Sequence, residues 1–285
     1  MKANTSKMKE ARRGLLALAA AALAVMAALA LGGCSASGGS DSAQPEGAQD
    51  ALARIQQDGK IIFATEGTWS PWTFHTEDGN LTGYDIEVAR AIAEQMGVEP
   101  EFVEGEWDGL FAGMDAGRYD AVANGVDVTE ERAEKYDFTD PYAYNRTVVI
   151  VRDDEDDINS MGDLAGKTTA NTLSSTYTQV AESYGAKTQG VDDLLQTIQL
   201  LEQGRIDATL NSKVVFYDYM AQHPDAKLKI ACVDPNPTTV AIPVVKGESS
   251  QALLDAMNAA LEELRVSGRL AELSNQFFGV DITEQ

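Results

Sequence analysis

Residues 117–124, GRYDAVAN, recur in pattern at 204–211 as GRIDATLN. Both copies read G-R-x-D-A-x-x-N. Each sets a glycine stop after helical spacing, then an Arg-x-Asp turn, a short apolar strand and an asparagine. In the second copy Leu194, Leu195, Ile198 and Leu201 supply the helix, with Asp192 expected to open it. One αβ unit used twice predicts two related α/β lobes.

The first copy runs on through Gly125 to Tyr142 as GVDVTEERAEKYDFTDPY. Asn124-Gly125 is a turn signal at a strand end. Thr129 is a good N-cap, which places Arg132 in the first turn of a helix continuing through Lys135. A cation there opposes the positive helix end unless an anion lies between the two. Arg132 is therefore a carboxylate-site candidate; the plainer alternative is a surface arginine paired with Glu131 or Asp127.

Other stretches extend the α/β pattern. Lys60–Thr65 (KIIFAT) and Thr147–Val151 (TVVIV) are continuous apolar runs suited to buried strands. Ile86, Ala89, Ile92, Ala93 and Met96 keep helical spacing up to Gly97, and Thr76–Gly83 holds an Asp-Gly turn. Trp107–Met114 is a short helical or turn segment, and Ala241–Val245 one more strand. Ser174, Ser175 and Thr176 precede a helix from about Tyr177 to Ser183, a second helix start whose hydroxyls either bind a ligand or simply cap. The acidic run at 153–157 lacks the glycine and spaced ligands of a calcium loop and reads as a solvated loop.

The amino terminus sets the compartment. Lys7, Lys9, Arg12 and Arg13 precede an alanine- and leucine-rich run over 14–31, and Leu31-Gly32-Gly33-Cys34 puts a cysteine after small residues. This resembles a bacterial lipoprotein signal, which implies cleavage before Cys34 and acylation of its thiol. An uncleaved membrane anchor is the alternative, since the run approaches the ~20 residues needed to span. Residues 1–33 thus read as a signal peptide and 34–50 as a flexible tether rich in Ser, Gly, Ala, Gln and Asp. Cys232 is then the one thiol left, expected as a small core residue with no disulfide to make. The net charge of −23 for 285 residues argues against nucleic acid as a partner.

Ligands in α/β sheets collect beyond the carboxyl ends of strands. Here those ends carry Glu66 to Trp72, Trp107, Asn124 to Arg132, Ser174 to Thr176, and Asn211-Ser212. Together they describe an aromatic cleft with a fixed cation, hydroxyl donors and two acids, suited to a small zwitterion. Arg132 would pair with its carboxylate, Asp127 with its ammonium, and Trp69 and Trp107 would wall it. Trp72, beside Pro71 and Phe74, reads as core. Catalytic sets are thin: His75 and His223 are the only histidines, and neither a Ser-His-Asp arrangement, a histidine metal site nor a Gly-rich phosphate loop is apparent. No cofactor or metal is expected.

The motifs TEGTWSPW (65–72), LTGYDIEVARAIA (81–93), DAVANGVDVTEERAEKYDFTDPY (120–142), DLAGK (163–167), GRIDA (204–208) and SGRLAELSNQFFG (267–279) resemble the family 3 extracellular solute-binding proteins, amino-acid receptors of ABC importers. The resemblance covers about 55–279. It implies a two-lobed periplasmic-binding-protein-like fold of type II, with two crossover hinge segments and a cleft between lobes. Lobe 1 would comprise 51–144 and 237–285, lobe 2 residues 145–236, with Tyr142 to Arg146 as the first hinge strand. The strand ends and the family's positions together give an expected ligand site of Glu66, Trp69, Trp107, Asn124, Gly125, Asp127, Arg132, Ser174, Ser175, Thr176 and Ser212. Arg132 stands at the family's carboxylate arginine, and Ser175 and Thr176 add donors to the same carboxylate. Many members carry an acid where this chain has Ser212, so the ammonium role passes to Asp127. The stretch 208–220 looks nearest to the cystine- and cysteine-binding branch. The implied protein is a monomeric, lipid-anchored, non-enzymatic receptor on the outer face of the cytoplasmic membrane, partnered by permease subunits. The competing implication is a dehydratase-type enzyme on the same fold acting on a cyclic carboxylic acid.

Overall fold

The computed structural model describes residues 50–284. The expected leader, the acylated Cys34 and the tether up to residue 49 lie outside the described residues.

The chain enters through α1 (Ala51–Asp58), capped by the Asp50 carboxylate and stopped at Gly59, whose φ of 68° suits a residue without Cβ. Strand β1 (Lys60–Thr65) follows, then the hairpin of β2 (Phe74–His75) and β3 (Leu81–Thr82) around the Asp-Gly turn. Next come α2 (Tyr84–Met96), β4 (Glu99–Glu104), α3 (Trp107–Asp115), β5 (Ala121–Val122), α4 (Glu130–Lys135) and β6 (Tyr136–Phe138). β1 pairs in parallel with both β4 and β5. The sheet is completed from the far end of the chain: β14 (Pro243–Val245) inserts antiparallel between β5 and β6, giving the order β4-β1-β5-β14-β6. The Ala241–Val245 run is thus a strand only from Pro243.

A second set of strands is built from the middle of the chain. β8 (Thr147–Arg152) lies between β11 (Thr209–Ser212) and β12 (Leu228–Val233), antiparallel to both. β9 (Thr168–Asn171) pairs in parallel with β10 (Lys187–Gly190), and a single bridge from Thr169 to Ala208 links the two groups. Helices α5 (Thr176–Ser183), α6 (Leu194–Glu202) and α7 (Lys213–Gln222) cover them. The two lobes are joined by β7 (Ala143–Asn145) and β13 (Thr238–Val240), which pair with each other antiparallel. α8 (Glu248–Val266) and α9 (Arg269–Phe278) then return to the first sheet.

Both sheets are covered on both faces, which explains their continuous apolar strands. Ile61 and Phe63 pack with Ile55, Ile92, Met257 and Leu273 on one side, while Ala64 packs with Trp107, Leu110 and Met114 on the other. Val149 and Val151 face Leu164 and Leu210, and Val148 and Ile150 face Ile198 and Leu201. Cys232 is less enclosed than a core residue. It is half-buried on β12, an edge strand, with its Sγ 3.8 Å from Met161 Sδ, because one side of that strand has no neighbour to cover it.

The repeated aspartate has a structural explanation. Asp120 N–H donates to Ile62 O at 2.8 Å, and Asp120 Oδ2 accepts from Ile62 N–H at 2.8 Å. Asp207 N–H donates to Thr168 O at 2.8 Å, and its Oδ2 accepts from Thr168 N–H at 2.7 Å. In each lobe the Arg-x-Asp turn docks a new strand against an older one through the same pair of bonds. The helix before the second turn begins one residue later than expected: Asp193, not Asp192, caps α6 by accepting from Gln196 N–H at 2.8 Å. Asp193 stands three residues before that N–H, the offset a capping side chain spans. Asp120→Ala and Asp207→Ala should each cost about 1–3 kcal/mol in thermal unfolding by stranding a strand N–H. Arg118→Ala, outside this pair of bonds, should cost much less.

Candidate functional site

The ends of β1, β5, β9 and β11 and the start of α6 surround one cavity between the lobes. Its empty volume, including the mouth open to solvent, is about 620 Å³. From the first lobe Glu66, Thr68, Trp69, Trp107, Asn124, Gly125 and Asp127 line it. From the second come Asn171, Thr172, Ser175, Thr176, Tyr177, Asp193, Leu194, Thr197 and Asn211.

Asn124 ties the floor together. Its Oδ1 accepts from Glu66 N–H at 2.7 Å and from the Thr65 hydroxyl at 3.1 Å, while its Nδ2 donates to Glu66 Oε2 at 2.5 Å. Burial raises the Glu66 carboxyl to about 7; the Asn124 bond opposes this, and Asp193 and Asp108 reinforce it. Gly125 has a φ of 55°, and a Cβ there would stand 2.6 Å from Trp69 Cζ3. Its N–H donates to the buried Asp85 carboxylate. The Trp69 ring stacks on Trp72 at 5.7 Å, and Trp72 is fully buried against Tyr84 and Phe278, as its neighbours in sequence suggest.

Arg132 lies behind this wall and not in it. α4 is only six residues long, because Tyr136 turns into β6, and Thr129 Oγ1 accepts from Arg132 N–H at 3.2 Å. The guanidinium donates to Asp127 O at 2.9 Å and to Ser174 O at 3.2 Å, and its Cζ sits 5.2 Å from the Trp107 ring centroid. Burial lowers its pKa, opposed by Asp127 and Glu131. Asp127 accepts from the hydroxyls of Thr176 at 2.7 Å and Thr238 at 2.6 Å. Burial raises its carboxyl above the usual range, against those two hydroxyls and Arg132.

Ser175 caps α5, its Oγ accepting from Thr178 N–H at 3.3 Å. The Ser174 hydroxyl turns away to donate to Asp108. With Gln179 Nε2 donating to Glu131 at 3.2 Å, four side-chain hydrogen bonds among the described residues cross the cleft: Arg132 to Ser174, Ser174 to Asp108, Thr176 to Asp127, and Gln179 to Glu131.

Ser212 is the clear departure from expectation. It is fully buried and donates to Asn145 Oδ1 of β7 at 2.6 Å, so it faces the crossover and not the cavity. Successive residues of a strand point to opposite faces, and in β11 it is Asn211 that reaches the cavity. Eight of the eleven expected residues therefore share the cavity wall, Arg132 and Ser174 lie bonded to each other beside it, and Ser212 is elsewhere. Sequence reasoning also passed over Asp193, Asn171 and Tyr177. Asp193 carried a signal, since a helix cap next to a strand end is placed to face a cleft.

Comparison with known proteins bears on the arrangement. Residues 61–280 match the model described as bacterial extracellular solute-binding proteins, family 3. The L-cystine-binding protein TcyA of Bacillus subtilis is 37% identical over 276 residues, 96% of this chain and 100% of TcyA. An ancestral arginine-binding protein bound to arginine superposes with a TM-score of 0.72 at 36% identity, over 78% of this chain and 99% of that one. The L-cystine solute receptor of Neisseria gonorrhoeae, in its unliganded open conformation, gives 0.57 at 38% identity, over 82% and 99%. The architecture is the type II fold of amino-acid-binding proteins.

Gly125→Ala should cost about 1–2 kcal/mol of stability through the positive φ alone. It should also shift tryptophan emission as Trp69 is pushed off Trp72, a change that Gly79→Ala, in an open turn, should not produce.

Proposed function

This chain belongs to family 3 of the bacterial extracellular solute-binding proteins, solute carriers and not enzymes, and on that premise we propose that it is an amino-acid receptor for an ABC importer. The observation that carries the reading is the cavity lined from both lobes by Glu66, Trp69, Gly125, Asp127, Ser175 and Thr176, with Arg132 directly behind it. The lobes are taken as 51–144 with 237–285, and 145–236. They close on the ligand about the β7–β13 ribbon.

In this reading the ligand carboxylate meets the remaining Arg132 N–H donors and the α5 start at Ser175 and Thr176. Asp127 accepts the α-ammonium. Each of its oxygens already takes one hydroxyl, and a carboxylate offers about four acceptor sites, so room is left for that bond. Trp69 and Trp107 enclose the aliphatic part. The cystine receptors among its relatives make cystine, cysteine or another polar amino acid the first candidates. No helix among the described residues is long and apolar enough to cross a membrane. Anchoring falls to acylated Cys34, which holds a monomeric receptor outside the cytoplasmic membrane within reach of the permease subunits.

Thermal unfolding in the presence of each amino acid tests the reading. A ligand at 100 times its Kd should stabilise the chain by about 2.7 kcal/mol, and a flat response across the panel defeats it. Arg132→Ala should weaken the best ligand by about 2–3 kcal/mol, since a buried carboxylate would lose its charged partner. Asp127→Asn should weaken it also; an Asp127→Asn chain that binds as tightly as the parent removes the ammonium role.

A further inference from the structure

Two wall residues of the cavity, Tyr177 and Asp127, meet one amide from behind. That amide is Asn145, the last residue of β7, which is 3% exposed. Its Nδ2 donates to the Tyr177 hydroxyl at 3.2 Å, and its Oδ1 accepts from the Ser212 hydroxyl at 2.6 Å. Across the ribbon it stands directly opposite Thr238 of β13, whose hydroxyl donates to Asp127 Oδ1 at 2.6 Å. Backbone bonds fasten the same corner. Val128 N–H donates to Thr239 O at 2.9 Å, and Ala241 N–H to Val126 O at 3.1 Å. Asp127 is thus held against the crossover where Asn145 sits.

The direction of the amide follows from its neighbours. A hydroxyl can donate or accept, so Ser212 and Tyr177 would suit either orientation. The Asp127 carboxylate would not, because a carbonyl turned toward it would set two acceptors face to face. With Oδ1 on Ser212, the amide N–H groups are left to the side of Tyr177 and Asp127. Burial raises the Asp127 carboxyl, and Thr238, Thr176, Arg132 and Asn145 pull it down, in that order. Thr176 belongs to the second lobe, Thr238 to one crossover and Asn145 to the other, so three elements besides Arg132 serve one carboxylate.

We infer that Asn145 is a positioning residue of the binding site: from the crossover, anchored by Ser212, its amide aims the Asp127 carboxylate at the ligand ammonium. The inference rests on the amino-acid reading above and adds a residue that acts through Asp127 and not on the ligand. It also gives Ser212 a purpose, since a hydroxyl buried away from the cavity there fixes the amide. Because Asn145 belongs to the ribbon about which the lobes close, the aim of Asp127 is set by the closed arrangement.

Proton linkage reports the contact. Asp127 must be ionised to hold an ammonium, so affinity falls as pH drops through its pKa in the free protein. Removing a donor raises that pKa, and the loss then begins at a higher pH. Of the groups facing Asp127, Arg132 on α4 is the cation. Tyr177 on α5 and Tyr142 ahead of β7 are phenols that burial holds well above their usual range, so both stay neutral. Glu66 and Asp193 are the other acids on the cavity wall. Glu66, raised to about 7 by burial, bonds to Asn124 and not to Asn145, so its share of any pH profile is common to the parent and the Asn145 variants.

Titration calorimetry of the full chain with L-cystine, L-cysteine, L-glutamine and L-arginine, from about pH 5 to about pH 8, tests this. N145A should weaken the tightest of the four about fivefold at neutral pH, the worth of one hydrogen bond, and move the acid-side loss of affinity to higher pH. S212A keeps the amide but frees it to turn, and should shift the profile the same way by less; it also stands in if N145A does not fold. In a D127N background both substitutions should change affinity by less than about twofold, since the group they act through is gone. The N145A shift is read with Asp127 in place and decides the matter even where D127N binds too weakly for the cycle. An N145A or S212A chain with the parent's pH profile, or a loss of the same factor with and without Asp127, would overturn the positioning role and leave the receptor reading standing. A parent chain that binds none of the four would overturn both.

Discussion

The carboxylate of Asp85 is the constraint on which the binding wall and the crossover both depend. It is buried in the first turn of α2, with 1% of its surface exposed. One oxygen accepts from Gly125 N–H in the cavity wall, and the other from the Tyr142 hydroxyl at 2.7 Å, one residue before β7. Tyr84, its neighbour, donates to Tyr142 O at 3.0 Å. Burial raises this carboxyl to about 7, and the Tyr142 and Gly125 donors work against that rise. An ionised group in such a place persists only with donors on both oxygens. The site and the hinge are therefore fixed to one helix start, and a shift in either strains the other.

Around that anchor the two lobes reuse one docking device. Asp120 and Asp207 clamp corresponding strands by the same two bonds, and Asn124 and Asn211 then reach the cavity from opposite sides. Beyond those asparagines the copies diverge. The first continues into Gly125, Asp127 and Arg132, which carry the polar chemistry; the second turns at once into α7. The cavity's second wall is supplied instead by the starts of α5 and α6, so repetition built the frame while the chemistry came from the segments between.

Much of this was legible in the chain. Buried strands showed as unbroken apolar runs because both of their faces are covered, and the repeat announced two lobes because each needs the same turn to dock its strand. Eight of eleven expected wall residues followed from one rule, that polar groups just past strand ends face a cleft. The failures share a cause. Ser212 and Asn211 are equally polar neighbours, and only the direction of β11 decides which one faces the cavity. Asp192 and Asp193 are identical in type, and the cap belongs to the one whose oxygen meets Gln196 N–H. Cys232 looked like core from its apolar neighbours, but sequence does not say that β12 lies at an edge.

Local chemistry along the chain was enough for two α/β lobes, a helix cap at Thr129, hydroxyls at a second helix start, a cation in the first turn of α4, and a surplus of acid. The tertiary structure alone decided which acids share a space. Glu66 and Asp193 are 127 positions apart in the chain, and neither stands out from the other 43 acidic residues until the β7–β13 ribbon brings the lobes face to face. Charge is counted along a sequence, but its energy depends on distance and burial, and those exist only once the cleft is formed.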